Sequence, residues 1–289
     1  MNIDTRSFMA GYIAGVELRR HRPIPVEPQE AYLTFSSPTS FTLSKVNGTK
    51  NWDGILEWST DANIWAEWNG SSVLSAARHD GKYQLLLRGT SNTIITGYPS
   101  QSSEWSRVGF MLSGSQVSCE GNAECLLDYQ TVAIGRHPTM GLGCFSHLFW
   151  QNTALVQAPD LLSPTVSRFG YWATFGRCTN LTKHPKIDAV NLSRSCFYYM
   201  FSQSGVNSLT ALKATALPET CYNGMYNGCT AIRLSTTQGG VYQTPYQIPF
   251  SGIGTLSTNS LNNMFTGTGG TFTGTPDINT TYYTANEVI

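Results

Sequence analysis

The sequence predicts a mainly β fold with short helices: an N-terminal helix, an antiparallel β-sandwich and a short solenoid of about five coils. Residues 1–30 combine an apolar helical stripe with a Pro-rich linker. Residues 31–115 carry short strands separated by turn residues, and residues 116–289 repeat one pattern at intervals near 25 residues. These three observations divide the chain into an anchor, a sandwich and a solenoid with a C-terminal cap.

The overall composition excludes several classes of function. Eighteen basic and 18 acidic residues give a formal net charge of zero, which excludes a nucleic-acid binder that works through a basic surface. Because 40% of the residues are hydrophobic, the chain can bury a core and is not disordered. No window reaches the ~18 continuous apolar residues of a membrane span. No Gly-rich phosphate loop follows a strand, so we expect no cofactor.

The first 22 residues have the pattern of an amphipathic helix. Phe8, Tyr12 and Val16 form an i, i+4 stripe, and Gly11 and Gly15 leave small faces for close packing. Basic residues follow this apolar run instead of preceding it, which is the reverse of a secretion signal. We expect the helix to anchor the chain on a partner or on symmetry mates; the alternative is a helix that folds back on its own domain.

Residues 31–115 show the alternation of strands. Runs of this kind cover 32–43, 54–59 and 63–68, and a further short strand is expected at 93–96. The expected core includes Leu56, Trp58, Leu85 and Leu87. Most tryptophans of this region should pack inside. Trp65 and Trp52 are the candidates for a surface that stacks on sugars, and Trp65 is the one expected to be exposed.

Beyond residue 140 the chain repeats itself. One aromatic position recurs after 26, 26, 25 and 39 residues, and its members are Phe149, Phe175, Phe201, Tyr226 and Phe265. A period near 25 is typical of solenoids, in which equivalent side chains of successive coils form ladders. In each coil we expect a short helix to carry the aromatic residue, and a Leu or Ile six residues later to begin a strand. We expect the residues of these ladders to have a structural role in the core.

The seven cysteines fit the same ladders. Cys144, Cys196 and Cys221 share one repeat position, where they read as small interior residues. No pair has the short spacing of a zinc site, and an odd number precludes complete pairing within one chain. Cys144 and His147 could touch, but a repeated structural position argues against a catalytic nucleophile. We therefore predict buried free thiols, no metal site and no catalytic residue.

The repeat carries a family resemblance. The segment 221–232, Cys-Tyr-Asn-Gly-Met-Tyr-Asn-Gly-Cys-Thr-Ala-Ile, and the preceding run Ala-Leu-Pro-Glu-Thr resemble the BspA-type leucine-rich repeats of bacterial surface proteins, of the kind carried by gut bacteria and their phages. The lead-in at 126–140 and motifs of the sandwich resemble such proteins too, so the likeness covers roughly residues 31–265. The second coil lacks the leading Cys, the third has an insertion, and the last has drifted to Gly and Thr. The resemblance implies a leucine-rich-repeat-like solenoid and attachment to a cell surface or host protein.

An adhesin-like body without a secretion signal leads us to expect a bacteriophage virion protein: a fibre, decoration or tail-associated adhesin. Residues 1–22 would bind other virion proteins, and the solenoid would attach to a bacterial surface glycan or protein without catalysing a reaction. We expect a homo-oligomer, because many copies raise avidity.

Two alternatives remain. One is a bacterial BspA-like adhesin on the cell surface. The other is a glycan depolymerase that would use two carboxylates. The acids considered for it are Glu57, Glu67, Asp160, Asp188 and Asp277.

Overall fold

The computed structural model describes residues 31–46, 52–97, 108–232, 257 and 259–268. Within these residues the fold is mainly β, with ten strands in two sheets and one helix. The strands are β1 Leu33–Ser37, β2 Thr42–Val46, β3 Ile55–Ser59, β4 Ala66–Glu67, β5 Leu74–Ser75, β6 Ala77–His79, β7 Lys82–Thr90, β8 Gly109–Ser113, β9 Val117–Glu120 and β10 Leu155–Gln157, and the helix is α1 Cys125–Ala133.

Nine of the strands form antiparallel pairs. The larger sheet has the order β10-β9-β1-β7-β3-β4, with β6 also paired to β7, and the smaller sheet has the order β5-β2-β8. Only β10 and β9 pair in parallel among the described strands. Because β9 pairs with β1 while β10 begins at Leu155, the larger sheet joins the N-terminal strands to the region of the repeats.

The alternation of the strands decides which side chains are buried. Leu56, Leu85 and Leu87 are fully buried, as the sequence predicts, whereas Trp58 is only half-buried and packs at the edge of the core. The strand expected at 93–96 is wrong, since this stretch is an irregular loop. Its N–H groups at Thr93 and Ile94 donate to the Asp53 carboxylate at 2.8 and 2.9 Å, which takes the place of a neighbouring strand.

Helix α1 lies directly on β7. A side chain at Gly89 would bring its Cβ within 1.7 Å of the Leu126 carbonyl oxygen, so only glycine allows this approach. The buried Asn92 amide links both elements to β3, because its Nδ2 donates to the carbonyl oxygens of Ile55 and Leu126. Asp128 has non-helical dihedrals and kinks α1.

The repeated region is built from five segments of consecutive turns, which we call the turn segments: 142–151, 168–177, 194–203, 219–228 and 259–267. The short helices expected here are wrong. A left-handed residue recurs every four positions, as at Phe169, Ala173 and Arg177 with φ of 59°, 52° and 58°. An α-helix cannot contain such residues.

Backbone hydrogen bonds between successive turn segments explain why helices do not form. The N–H groups of Phe145, His147 and Phe149 donate to carbonyl oxygens of the second segment at 2.8, 2.8 and 2.9 Å. The N–H groups between them bond back three residues, as from Leu148 to Phe145 at 3.2 Å. The same alternation joins the second segment to the third, the third to the fourth and the fourth to the fifth. In the first four segments, about half of the N–H groups therefore donate to the next segment.

The aromatic residues at the repeat interval stack in the core. Successive rings of Phe149, Phe175, Phe201, Tyr226 and Phe265 lie 5.4–5.7 Å apart with interplanar angles of 2–10°. A second stack, four residues earlier, has centroid distances of 5.5–5.6 Å and comprises Phe145, Tyr171, Phe197 and Tyr222. Both stacks belong to one continuous hydrophobic cluster that extends back to Leu33.

Within the described residues, the strand expected six residues after each aromatic forms in the first repeat alone, where Leu155 begins β10. Further along, the repeats are joined by isolated parallel bridges such as Leu161 with Ile187 and Thr165 with Asn191. These bridges have the spacing of the repeat but too few consecutive pairs to make a strand.

All seven cysteines are buried and none forms a disulfide, as predicted. Burial raises the pKa of the thiols of Cys144 and Cys196 well above the ordinary value, so both are held as neutral packing groups. Cys178 and Cys229 add hydrogen bonds, since each thiol donates at 2.9 Å to the carbonyl oxygen of an aromatic residue, Phe149 or Phe201, in an earlier segment.

Candidate functional site

The turn segments present side chains in alternating pairs. In the first segment Cys144 and Phe145, then Leu148 and Phe149, are buried in the core. Trp150 follows them as a half-buried residue and Gln151 as an exposed one. Because each segment repeats this order in register, residues at equivalent outer positions come together on one surface.

That surface carries a group of aromatic rings, which we call the aromatic patch: His147, Trp150, Phe169, Trp172, Tyr198 and Tyr199. All except the buried His147 are half-buried. The rings form a chain of contacts across three segments. His147 lies 5.3 Å from Trp150 and 4.7 Å from Trp172, and Trp172 lies 6.1 Å from Tyr198.

Small residues leave room for these rings. A Cβ at Gly176 would lie 2.2 Å from the Trp150 ring, so the indole rests against the backbone of the second segment. A Cβ at Gly224 would likewise lie 2.5 Å from the Tyr199 ring. At the same end of the patch, burial raises the pKa of Tyr198, and the neighbouring Tyr199 raises it further.

Two exposed arginines flank the aromatic patch. The Arg168 guanidinium lies 4.8 Å from the centroid of the Phe169 ring, and that of Arg177 lies 5.3 Å from the Trp150 ring. Neither has an acidic partner within ion-pair distance in the described part of the chain. Arg177 donates from Nε to Gln203 at 3.1 Å.

The charge around the aromatic patch differs from that of the whole chain. Residues 129–218 contain seven Lys and Arg against two Asp, although the chain is neutral overall. The first three turn segments contain no Asp or Glu at all. The patch is therefore an aromatic and locally basic surface.

The two tryptophans named from the sequence lie elsewhere. Trp52 is only 7% exposed and packs 5.2 Å from the Trp68 ring, so core packing occupies its indole. Trp65 is half-buried, and Arg88 covers one of its ring faces at 3.9 Å. Tyr129 lies 4.1 Å from the same guanidinium, which is thus held between two rings. Trp65 was expected to be exposed, and this prediction is wrong because the side chain is half-buried.

The other sequence candidates are the anchor residues and the carboxylates, and some of them lie outside the described residues. The proposed anchor residues lie outside the described residues, and these are Phe8, Gly11, Tyr12, Gly15 and Val16. Asp277 lies outside them as well. Glu57 and Glu67 are cross-strand neighbours on β3 and β4, and Glu57 pairs with Arg88 at 2.9 Å. Asp188 pairs with Lys186 and Lys213.

The described residues contain neither a candidate metal site nor a thiol that is activated for reaction. They hold no group of three or more His, Cys, Asp or Glu that could bind a metal ion. Nδ1 of His147, the residue considered as a partner of Cys144, instead lies 2.8 Å from the Ser146 hydroxyl. In the described ranges, no helix has both the length and the apolar character to cross a membrane.

Sequence reasoning missed the aromatic patch because it looked for residues that repeat. Trp172 and Tyr198 do share a position, three residues before the ladder aromatic. Two aromatic residues at one repeat position could have indicated the patch. The first and fourth copies carry Ser146 and Asn223 there, so the position does not stand out as a ladder.

Comparison with known proteins found no protein-family model, no curated protein and no solved structure that matches the chain.

Proposed function

We propose that the chain is a non-enzymatic bacteriophage virion protein whose repeats form a short leucine-rich-repeat-like solenoid for attachment to a bacterial surface. In this proposal residues 1–22 bind other virion proteins, and the protein acts as a fibre, decoration or tail-associated adhesin. The resemblance to BspA-type repeats suggests this role and rests on the motif residues alone.

The observation that carries the proposal is the ladder of turn segments. Four successive interfaces use the same alternation of backbone hydrogen bonds, and two ring stacks run through them. Each of the first four segments donates about half of its N–H groups to the next one, which is how a solenoid coil depends on stacking. Such an assembly would hold the outer side chains in a fixed arrangement, which lowers the entropy cost of binding a ligand.

The side chains of the outer surface are suited to binding a ligand more than to catalysing a reaction. Half-buried aromatic rings with exposed arginines are side chains that bind by stacking and by hydrogen bonds. A single such contact is weak, so display of many copies on a particle would give the avidity that adsorption needs.

The attachment proposal can be tested with the full chain alone. We expect the fluorescently labelled protein to bind host cells and to slow the adsorption of the phage that encodes it. Failure to bind any susceptible cell, with the protein folded by circular dichroism, would contradict attachment.

The anchoring part needs a separate test. Phe8→Ala combined with Tyr12→Ala should abolish incorporation into particles, measured by mass spectrometry of purified virions, because it removes two members of the apolar stripe. Cell binding by the free protein should stay unchanged. Normal incorporation of this variant would overturn the anchor.

A bacterial surface protein of the same fold is the first rival. Antibody labelling of intact cells that carry no phage would detect it there, whereas our proposal expects the protein in released particles.

A depolymerase is the second rival, and one observation favours it: the register places Glu57 beside Glu67. Release of reducing ends from host capsule, lost in Glu67→Gln, would establish that activity. The ion pair of Glu57 with Arg88 gives this carboxylate a structural role instead.

A further inference from the structure

We propose that the aromatic patch, together with Arg168 and Arg177, is the binding site for an acidic oligosaccharide. This inference rests on the proposed attachment function and names the ligand class of one surface. The ligand is a short sugar chain that carries carboxylates, and the site spans the first three turn segments.

Stacking supplies the first part of the recognition. The C–H groups on the flat side of a pyranose are slightly positive, and the face of an aromatic ring is negative, so the two attract each other. Trp172 and Tyr198 occupy equivalent positions on neighbouring segments with 6.1 Å between their centroids. Consecutive sugar rings can therefore meet consecutive side chains.

The length of the site follows from the ladder. Hydrogen-bonded backbones lie about 4.8 Å apart, so three segments span roughly 10 Å, enough for about two or three sugar rings. The contacts from Trp150 through His147 and Trp172 to Tyr198 follow this direction. We expect the oligosaccharide to cross the segments and not to run along one of them.

Charge decides between an acidic and a neutral sugar. Arg168 and Arg177 occupy the two ends of the second segment, and each lies against a ring of the patch. A guanidinium matches a carboxylate with two parallel hydrogen bonds. Since the three segments contain no Asp or Glu, nothing within them repels an acidic ligand. The two arginines lie on either side of the path from Trp172 to Tyr198 that crosses the segments, so each can pair with a carboxylate on its own side of the sugar chain.

Polar side chains at the same surface suit hydroxyl groups. Gln151 and Gln203 are exposed and share one repeat position, at the same edge as Arg177. An amide offers both a donor and an acceptor, as neighbouring sugar hydroxyls do. This mixture of rings, amides and guanidinium groups favours a glycan over an apolar peptide, which would leave the polar groups unpaired.

The experiment compares matched ligands on the full chain. An array of uronate- and sialate-bearing oligosaccharides is printed beside the carboxyl-reduced form of each. We expect at least one acidic oligosaccharide to bind about tenfold more tightly than its reduced partner, and the difference to shrink at high salt because exposed charge pairs are screened. Equal binding of every acidic oligosaccharide and its reduced partner overturns the proposal.

Variants then locate the site. Arg168→Gln with Arg177→Gln should weaken the acidic ligand about three- to tenfold, as expected for two exposed ion pairs. Binding of the reduced ligand should not change. Lys183→Gln, which removes an exposed charge of the same region, is the matched control and should bind as the wild type does. Tyr198→Ala should weaken both ligands, whereas Trp65→Ala should weaken neither.

Two results separate this inference from the attachment function. If the wild type adheres to cells and the arginine and Tyr198 variants adhere equally well, the patch is not the site and only attachment stands. If the wild type binds an acidic oligosaccharide but no cell, the patch binds as proposed and the attachment function fails. Because the arginines are exposed, their variants should fold even if Tyr198→Ala does not, so the charge test stands alone.

Discussion

At the scale of single residues, His184 is held in its neutral form. Its Nδ1–H donates to the Pro185 carbonyl oxygen at 2.8 Å, and its Nε2 accepts from the Tyr226 hydroxyl at 2.7 Å. The ring also packs 4.4 Å from Phe201. Burial lowers the pKa of His184 from 6.5 to about 4. Protonation would therefore have to break this arrangement.

This makes stability depend on pH in a defined window. Well above pH 6.5 neither the folded nor the unfolded chain protonates this histidine, so its contribution to stability is complete. As the pH falls from 6.5 towards 4, only the unfolded chain takes up the proton, and stability is lost. We expect a loss of about 2 kcal/mol in the free energy of unfolding between pH 7 and pH 5. Denaturant melts at both pH values measure it, and His184→Gln should reduce the loss; an equal loss in the variant would contradict this assignment.

At Gly224 both the backbone conformation and a neighbouring ring require glycine. It has a φ of +62°, and an added Cβ would also meet the Tyr199 ring at 2.5 Å. Gly135 has a φ of +72° but nothing within 4 Å of an added Cβ. We expect Gly135→Ala to cost about 1–2 kcal/mol from the left-handed conformation alone. Gly224→Ala should cost a further ~1–3 kcal/mol because the ring must move. Equal denaturation midpoints for the two variants would show that the ring is not held there.

At the scale of elements, the turn segment shows what the sequence could and could not reveal. Phe149 and Phe175 are chemically alike and 26 residues apart, and their rings stack. The left-handed residues hold their interval of four but differ in type, as Ala173, Tyr199 and Thr220 do. These three types do not signal a positive φ, whereas other copies place Gly or Asn at such positions, as at Gly143, Gly224 and Asn263. The helix expectation followed the apolar spacing and left that signal unused. The conformation of the left-handed residues is imposed by hydrogen bonds to a segment 26 residues away, which local propensity does not contain.

The element-scale prediction concerns the main ring stack. Phe175 stacks on Phe149 at 5.7 Å and on Phe201 at 5.5 Å. Phe175→Ala should cost about 3–5 kcal/mol in unfolding free energy by leaving a cavity between the two rings. Phe175→Leu keeps most of the volume but loses two stacking contacts, so about 1–3 kcal/mol is expected. Thermal and denaturant melts measure both; a Leu variant as stable as the wild type would show that stacking adds nothing beyond volume.

At the scale of the whole molecule, one buried amide joins the sheets to the repeats. Asn152 follows the first turn segment, and its Oδ1 accepts from the Leu112 N–H of β8 at 2.7 Å while its Nδ2 donates to the Phe110 carbonyl oxygen. The side chain thus acts as a strand neighbour for β8. The hydrophobic cluster runs through the same place, so the described fold should unfold as one cooperative unit.

Asn152→Ala tests this connection. It leaves a buried donor and a buried acceptor unpaired, so about 2–4 kcal/mol of stability should be lost. Hydrogen exchange at the Leu112 amide should rise with it. Asn180→Ala is the matched control, because its exposed amide makes one 2.7 Å bond to the Thr153 carbonyl oxygen. Comparable losses in the two variants would contradict a joining role for Asn152.

The alternation of the turn segments separates what holds the molecule together from what it displays. The backbone and the inward rings make the bonds between neighbours, so the side chains that point outward contribute little to that cohesion. Trp172 in one copy and Asn223 at the same position in another already show the range that this site accepts. A lineage could therefore exchange its outer residues one by one while the scaffold beneath stays the same.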